Sequence, residues 1–433
     1  MHKIEIENFG PIKKIDMKVS GSIFLLGEQA SGKSIIAKLI YFFRTISDDF
    51  INVMFSNKCT DIQDYKKSCQ SLIIGKFENV FGATRILGNF FVRYTFTDDI
   101  EDIYIKIYPN ESYKLCIDLS ISLENELAKI WDNFHSYLSV NEDSPNTNFY
   151  GRRNKLINNL FDASHIFQNI FNIDTDTMYI PAGRALLSRQ NLYQIILGNE
   201  ISRIKQNKTY APYDIIDALT LEYIYEVIKI REASLSNFDD DEDITYLINL
   251  CGNILKGIYV YKNQSDYIKL DDGALVSLAY SSSGQQEVVW LLNLLLYYSY
   301  LKKQHLIIIE EPETHLHPDA QYLLMKFIAA FCNITHSQVF ITTHSPYILS
   351  SVNNFFYANR CGNNVKKFTE ANNVISKQSW LDADKCSAYM MENCNIRNIK
   401  DDGLGIIDIS VLDAIASVQD EEYEKLYKII KGD

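Results

Sequence analysis

The stretch that most constrains this chain is Gly27-Glu28-Gln29-Ala30-Ser31-Gly32-Lys33-Ser34, which fits the pattern G-x-x-x-x-G-K-[ST]. It follows the apolar run Ser22-Ile23-Phe24-Leu25-Leu26 and precedes Ile35-Ile36-Ala37-Lys38-Leu39-Ile40-Tyr41, so it stands between a predicted strand and a predicted helix. That context is what the motif requires. The glycines let backbone N–H groups close around phosphate oxygens, and the helix start adds the positive end of its dipole. Lys33 is placed to reach β- and γ-phosphates and Ser34 to hold Mg²⁺. A Gly/Ser-rich turn before a helix is the bland alternative, and the later segments argue against it.

Two further strands end in polar groups of matching use. His305-Leu306-Ile307-Ile308-Ile309-Glu310-Glu311-Pro312-Glu313 reads as a buried parallel strand carrying carboxylates at its C-terminal end. Ligands of open α/β sheets bind at that end. Glu310 is expected to hold the Mg²⁺ shell and Glu311 to orient or polarise the attacking water. Gln338-Val339-Phe340-Ile341-Thr342-Thr343-His344 is a second such strand. A lone histidine there is more often structural, but a sensor of the γ-phosphate needs the same position. Between the P-loop and these strands, Ser281-Ser282-Ser283-Gly284-Gln285-Gln286-Glu287 opens the apolar helix from Val288. Hydroxyls and a glycine there make an anion-binding N-terminus or, taken alone, a simple N-cap.

These four elements, in this order, resemble the ABC-type ATPases of the OLD and RecF group, as does the opening Ile4-Glu5-Ile6-Glu7-Asn8-Phe9. In size and layout the chain is similar to the stand-alone ATPases that bacteria pair with a nuclease in antiphage defence, as in Septu and PARIS systems. The resemblance implies an α/β P-loop NTPase of ABC type; the expected fold is that NTPase with a mixed parallel sheet, an N-terminal antiparallel β lobe and a helical insertion, the likeness covering both ends of the ATPase and none of the insertion. It also implies a head-to-tail dimer, or a higher even oligomer, with two ATPs between protomers. The signature residues Ser282, Ser283, Gly284 and Gln285 would reach the partner's nucleotide, with Ser282 on the γ-phosphate unless the register shifts to Ser281 or Ser283. The group usually has Asp where Glu310 stands, so altered Mg²⁺ geometry and slow turnover are expected. His315 and His317 fall in the D-loop region and are not taken as metal ligands.

The remaining chain fits around this frame. The hairpin Ile4 to Val19 and the β-rich stretch near Asn89 to Leu119 place an antiparallel lobe at residues 1–119. Apolar residues at three- and four-residue spacing (Leu123, Leu127, Ile130, Trp131, Phe134; Leu219, Ile224, Val227) predict a mainly helical insertion over 120–250. Tyr179-Ile180-Pro181-Ala182-Gly183-Arg184 interrupts it as a strand leading into a loop. The second ATPase lobe and a short C-terminal extension occupy 251–433, the extension reading as a strand and a helix. Asp239 to Asp243 reads as a solvated acidic turn, and Asp382-Ala383-Asp384 as a surface turn rather than the D-x-D of a nuclease.

A net charge of −13 over 433 residues speaks against a surface that binds nucleic acid indiscriminately. A composite basic groove across a dimer would escape this reading, so a DNA repair or chromosome-associated ATPase on duplex DNA is the alternative function. The eight cysteines form no C-x-x-C pair and read as reduced thiols. No segment has the length of a membrane span and Met1 to Glu5 opens no leader, so the expected location is the cytoplasm.

Overall fold

The computed structural model describes residues 2–56, 59–82, 88–97, 102–139, 162–188, 217–231, 241–263, 265–401, 403, 405–410 and 422. Its strands in chain order are β1 (His2–Phe9), β2 (Ile12–Val19), β3 (Ser22–Gly27), β4 (Phe91–Thr97), β5 (Ile103–Pro109), β6 (Leu115–Leu119), β7 (Asp176–Ile180), β8 (Ile258–Lys262), β9 (Ser265–Lys269), β10 (Leu275–Ser277), β11 (His305–Glu310), β12 (Gln338–Thr343), β13 (Cys386–Glu392) and β14 (Asn395–Asn398).

An 11-stranded sheet in the order β6-β5-β4-β1-β2-β14-β13-β3-β12-β11-β7 forms the backbone of the molecule. Its wing, β1, β2 and β4 to β6, is antiparallel, and its centre, β13, β3, β12, β11 and β7, is parallel. The two parts meet where β14 pairs with β2 in parallel through Asn395 and Lys14. The expected antiparallel lobe is therefore continuous with the nucleotide-binding sheet.

Every residue of β3 and β11 is buried, as continuous apolar runs in a sheet covered on both faces must be. Side chains alternate between two cores: Phe24, Leu26, Ile307, Ile309 and Ile341 face one, and Ile23, Leu25, Leu306, Ile308 and Phe340 face the other. The P-loop helix Lys33–Arg44 fills the second core with Ile36, Leu39, Ile40 and Phe43. The helices Ser283–Leu301, Pro318–Thr335 and Pro346–Gly362 cover the first. Helix Ser283–Leu301 is apolar all round and accordingly buried from Val288 to Leu296. It starts at a capping box, Ser282 with Gln285, and stops at Lys302 in the left-handed region.

In the segment 120–250, Leu123, Leu127, Ile130, Trp131 and Phe134 share one buried face of the helix Ile121–Ser139, as their spacing predicts. The strand read at Tyr179 and Ile180 returns to the sheet as β7, parallel to β11. Asp241 caps the helix Glu242–Leu255 by accepting from the N–H groups of Asp243 and Ile244; Asp239 and Asp240 lie outside the described residues. Asp382 likewise caps a short 3-10 turn, Ala383–Lys385. In the C-terminal extension Lys400–Asp401 pairs with Ile406–Ile407, while the expected final helix lies outside the described residues.

The β13–β14 hairpin was not expected. Cys386-Ser387-Ala388-Tyr389-Met390-Met391-Glu392 has no β-branched residue, and its strand form comes from pairing with β3.

Candidate active site

Gly27 ends β3 and the loop turns over it into the helix Lys33–Arg44. Ala30 at φ 60 and Gly32 at φ 104 supply the left-handed turns that fold the backbone into a cradle. The cradle is walled in. A Cβ on Gly27 would lie 2.7 Å from Met391 Cβ and 2.9 Å from Met391 O, and one on Gly32 would lie 2.8 Å from Ile12 Cγ1. Lys33, 5% exposed, donates through Nζ to Gly27 O (2.8 Å) and Glu28 O (2.7 Å). Burial lowers its pKa, against the opposing pull of Glu311, Glu313 and Glu310. Ser31 Oγ is buried without a hydrogen-bond partner, while Glu28, Gln29, Ala30 and Ser34 are exposed.

The carboxylates stand at the C-terminal end of β11. Glu310 is 7% exposed; its Oε2 accepts from Ala182 N at 3.4 Å and its Oε1 is buried with no partner. Glu311 leaves the strand at φ 42, a backbone conformation that non-glycine residues rarely adopt and that clusters at functional sites. Its N–H donates to Thr342 O at 3.0 Å, which aligns the ends of β11 and β12. His344, just past β12, brings Nε2 to 3.2 Å from Glu311 Oε1. Glu313 Oε1 accepts from both Thr343 Oγ1 and His344 N at 2.7 Å, so a third carboxylate holds the histidine's backbone.

The ends of β3, β11 and β12 thus bring together the P-loop, Glu310, Glu311 and His344. Ser282, Ser283, Gly284 and Gln285 are placed differently. Ser282 and Ser283 are exposed, Gln285 reaches Leu255 O at 2.6 Å, and a Cβ on Gly284 would lie 2.7 Å from His315 O. Among the described residues no hydrogen bond joins Ser281–Gln286 to the P-loop. Neither does any cluster of His, Cys, Asp and Glu there have the make-up of a metal site, and no helix is long and apolar enough to cross a membrane.

Three side chains at this end of the sheet escape sequence reading. Glu313 sits in the quoted run without an assigned task. Arg184 and Glu287 are both buried, and Arg184 donates to the carbonyls of Glu310 and Glu311. The only sequence signal is that Arg184 closes the Pro181-Ala182-Gly183 loop after a strand and Glu287 ends the Ser-rich run.

The family model described as an AAA ATPase domain matches residues 1–349. Endonuclease GajA of Bacillus cereus (strain HuB5-5) is 24% identical over 318 residues, which are 65% of this chain and 43% of GajA. The chain thus spans less than half the length of that relative. Solved structures similar to it include the SMC head domain from Thermotoga maritima (TM-score 0.35, 12% identity, 92% of this chain and 97% of that one). Another is an Smc head domain with an extended coiled coil bound to the C-terminal domain of ScpA, from Pyrococcus furiosus (TM-score 0.38, 9% identity, 97% and 100%). With the family model covering the P-loop, the carboxylate strand β11, β12 and His344, the chain belongs to the AAA ATPase domain family and is an ATP-binding ATPase.

Proposed function

We propose that this ATPase is a switch that closes head-to-tail around two ATPs and thereby controls a partner effector, a nuclease, in bacterial antiphage defence. The observation that carries the reading is the division of the site. Lys33, Glu311 and His344 converge at one sheet end, while Ser282 and Ser283 are exposed and, among the described residues, share no hydrogen bond with them. A second copy supplies the missing half, its signature residues Ser282 to Gln285 facing the γ-phosphate. In this reading two ATPase lobes, 1–119 and 251–433, flank the helical insertion 120–250.

The residues fill their roles as follows. Phosphates displace Gly27 O and Glu28 O as partners of Lys33, and Gly27 to Ser34 present N–H groups at the helix N-terminus. Glu311 polarises the attacking water, and His344 stands beside it as the γ-phosphate contact. The unpartnered buried Glu310 Oε1 and the exposed first-turn Ser34 fit a Mg²⁺ requirement and would hold the ion. Bound Mg²⁺ supplies charge neutralisation at the phosphate oxygens. The nuclease partner is supported by the name of the relative, an endonuclease.

The test is to isolate the tagged protein from its source organism with the products of neighbouring genes and to assay the complex for nuclease activity with and without ATP. A co-purifying nuclease whose activity depends on the nucleotide state is expected. An isolated ATPase stimulated by duplex DNA, with no nuclease attached, overturns the switch reading in favour of a repair or chromosome-associated role.

A further inference from the structure

We propose that Arg184 is a positioning residue for hydrolysis, holding the peptide groups on either side of Glu311 and tying them to the first turns of the signature helix. The proposal rests on the reading of Glu311 as the water-polarising carboxylate.

Arg184 is 2% exposed and directs its guanidinium at four main-chain oxygens. Nη1 donates to Pro181 O at 2.9 Å and to Glu310 O at 2.8 Å, Nη2 to Glu311 O at 3.1 Å, and Nε to Glu287 O at 3.1 Å. A planar fork with five N–H groups on three nitrogens can serve four acceptors spread around it, where a lysine has only three donors on a single atom. Its counter-charge is Glu287, 1% exposed, with Oε1 at 3.9 Å from Nη2. Glu287 also accepts from the N–H groups of Arg184 (2.9 Å) and Ala185 (2.5 Å). A buried ion pair is expensive unless its hydrogen bonds are satisfied, and here nearly all of them go to backbone.

Glu311 explains why the pair sits there. Its φ of 42 is unfavourable for a residue with a Cβ and persists only if the surroundings hold it. Thr342 O fixes its N–H side, while Arg184, together with Thr314 N (3.2 Å) and Thr314 Oγ1 (2.9 Å), fixes its carbonyl side. The same arginine touches the helix that begins at Ser282. Glu287 lies in its first turns, and Ser188, at the end of the 3-10 segment Arg184–Ser188, donates to Gln286 O and accepts from Trp290 Nε1, each at 3.1 Å. A shift of the signature helix against the sheet therefore moves Arg184, and with it the backbone that aims Glu311.

The experiment compares Arg184→Ala, Arg184→Lys and Glu287→Asp with wild type in phosphate release, ATP affinity and thermal unfolding. Glu287→Asp keeps the charge but shortens the arm, so it carries the test if the arginine variants do not fold. We expect kcat to fall roughly 10- to 100-fold, as small misplacements of reacting groups do, with ATP affinity within about threefold. Guanidinium ion at non-denaturing concentration should recover part of kcat in Arg184→Ala, which a merely structural role would not produce. A folded Arg184→Ala or Glu287→Asp protein with wild-type kcat overturns the proposal, as does a lost kcat that guanidinium leaves unmoved. Glu311→Gln is run alongside. If it keeps hydrolysing, the assignment of Glu311 fails whatever Arg184 does; if it is inactive while the Arg184 variants are not, only the positioning role fails.

Discussion

Glu311→Gln removes one charge and almost no volume, which makes it the sharpest probe of the site. The amide oxygen can take over the contact with His344 Nε2, now 3.2 Å from Glu311 Oε1, and the φ of 42 is held by main-chain bonds that the substitution leaves alone. What disappears is the group proposed above to polarise the attacking water, a contribution of about 10²- to 10⁴-fold. The Glu311 side chain is 36% exposed, so solvent weakens its field and the lower part of that range applies. A loss of about 10²- to 10³-fold in kcat corresponds to roughly 3–4 kcal/mol of barrier. Binding should move the other way. Glu311 is the first of the three carboxylates acting on Lys33 and faces the same region as the incoming phosphates, so its neutralisation leaves ATP affinity equal or tighter. Phosphate release at saturating ATP, nucleotide titration and sizing with ATP together read the effect: slow turnover, retained binding and a longer-lived dimer. A kcat within about threefold of wild type, or a loss wholly due to weaker ATP binding, refutes the reasoning.

Other expectations follow from individual contacts. Lys33→Ala deletes a charged donor whose hydrogen bonds, among the described residues, go to its own loop; ATP affinity should drop at least about 100-fold in a nucleotide titration, with little change in melting temperature. Gly362→Ala places a Cβ 1.9 Å from Trp380 Cζ3, and this overpacking should cost about 1–3 kcal/mol, seen as a lower unfolding midpoint. Burial, helped by the positive charge of Arg44, pushes the His2 pKa down to about 4, and its Nε2 contact with Asn172 O and Nδ1 contact with Tyr94 Oη suit the neutral ring. The folded pKa lies below the unfolded 6.5, so this contribution is complete above pH 6.5 and is lost as pH falls toward 4, about 2 kcal/mol of it by pH 5. Chemical unfolding of wild type and His2→Gln at pH 7 and pH 5 checks the sign, since the variant should lose less on acidification.

What sequence could reveal here divides by range. The P-loop, β11 and β12 carry their structure locally, as apolar runs with a change of chemistry at one end, and the position of Gly27 to Ser34, Glu310, Glu311 and His344 at the strand ends is legible from that alone. The helix behind Ser282 declares itself through the S-x-x-Q capping box. Strand β13 does not, because Cys386 to Glu392 takes its conformation from neighbours distant in sequence. The tasks of Glu313 and Arg184 are hidden for the same reason: each is defined by main-chain groups it meets in space, such as His344 N or Glu310 O.

The position of β3 also sets an order of events during synthesis. Its flanking strands are β12 at residues 338–343 and β13 at residues 386–392, so the strand that carries the P-loop stays unpaired until more than 300 further residues have been made. The β1–β2 hairpin and the β4 to β6 meander close by short connections and can assemble early, whereas pairings as far apart as β3 with β12 and β13 pay their loop-closure entropy before any return. Until then β3, with Ile23 to Leu26 in an unbroken apolar run, is an open edge of the kind that templates association with other chains. Chains stopped before β12 should therefore be recovered as insoluble fragments rather than as partially active ones.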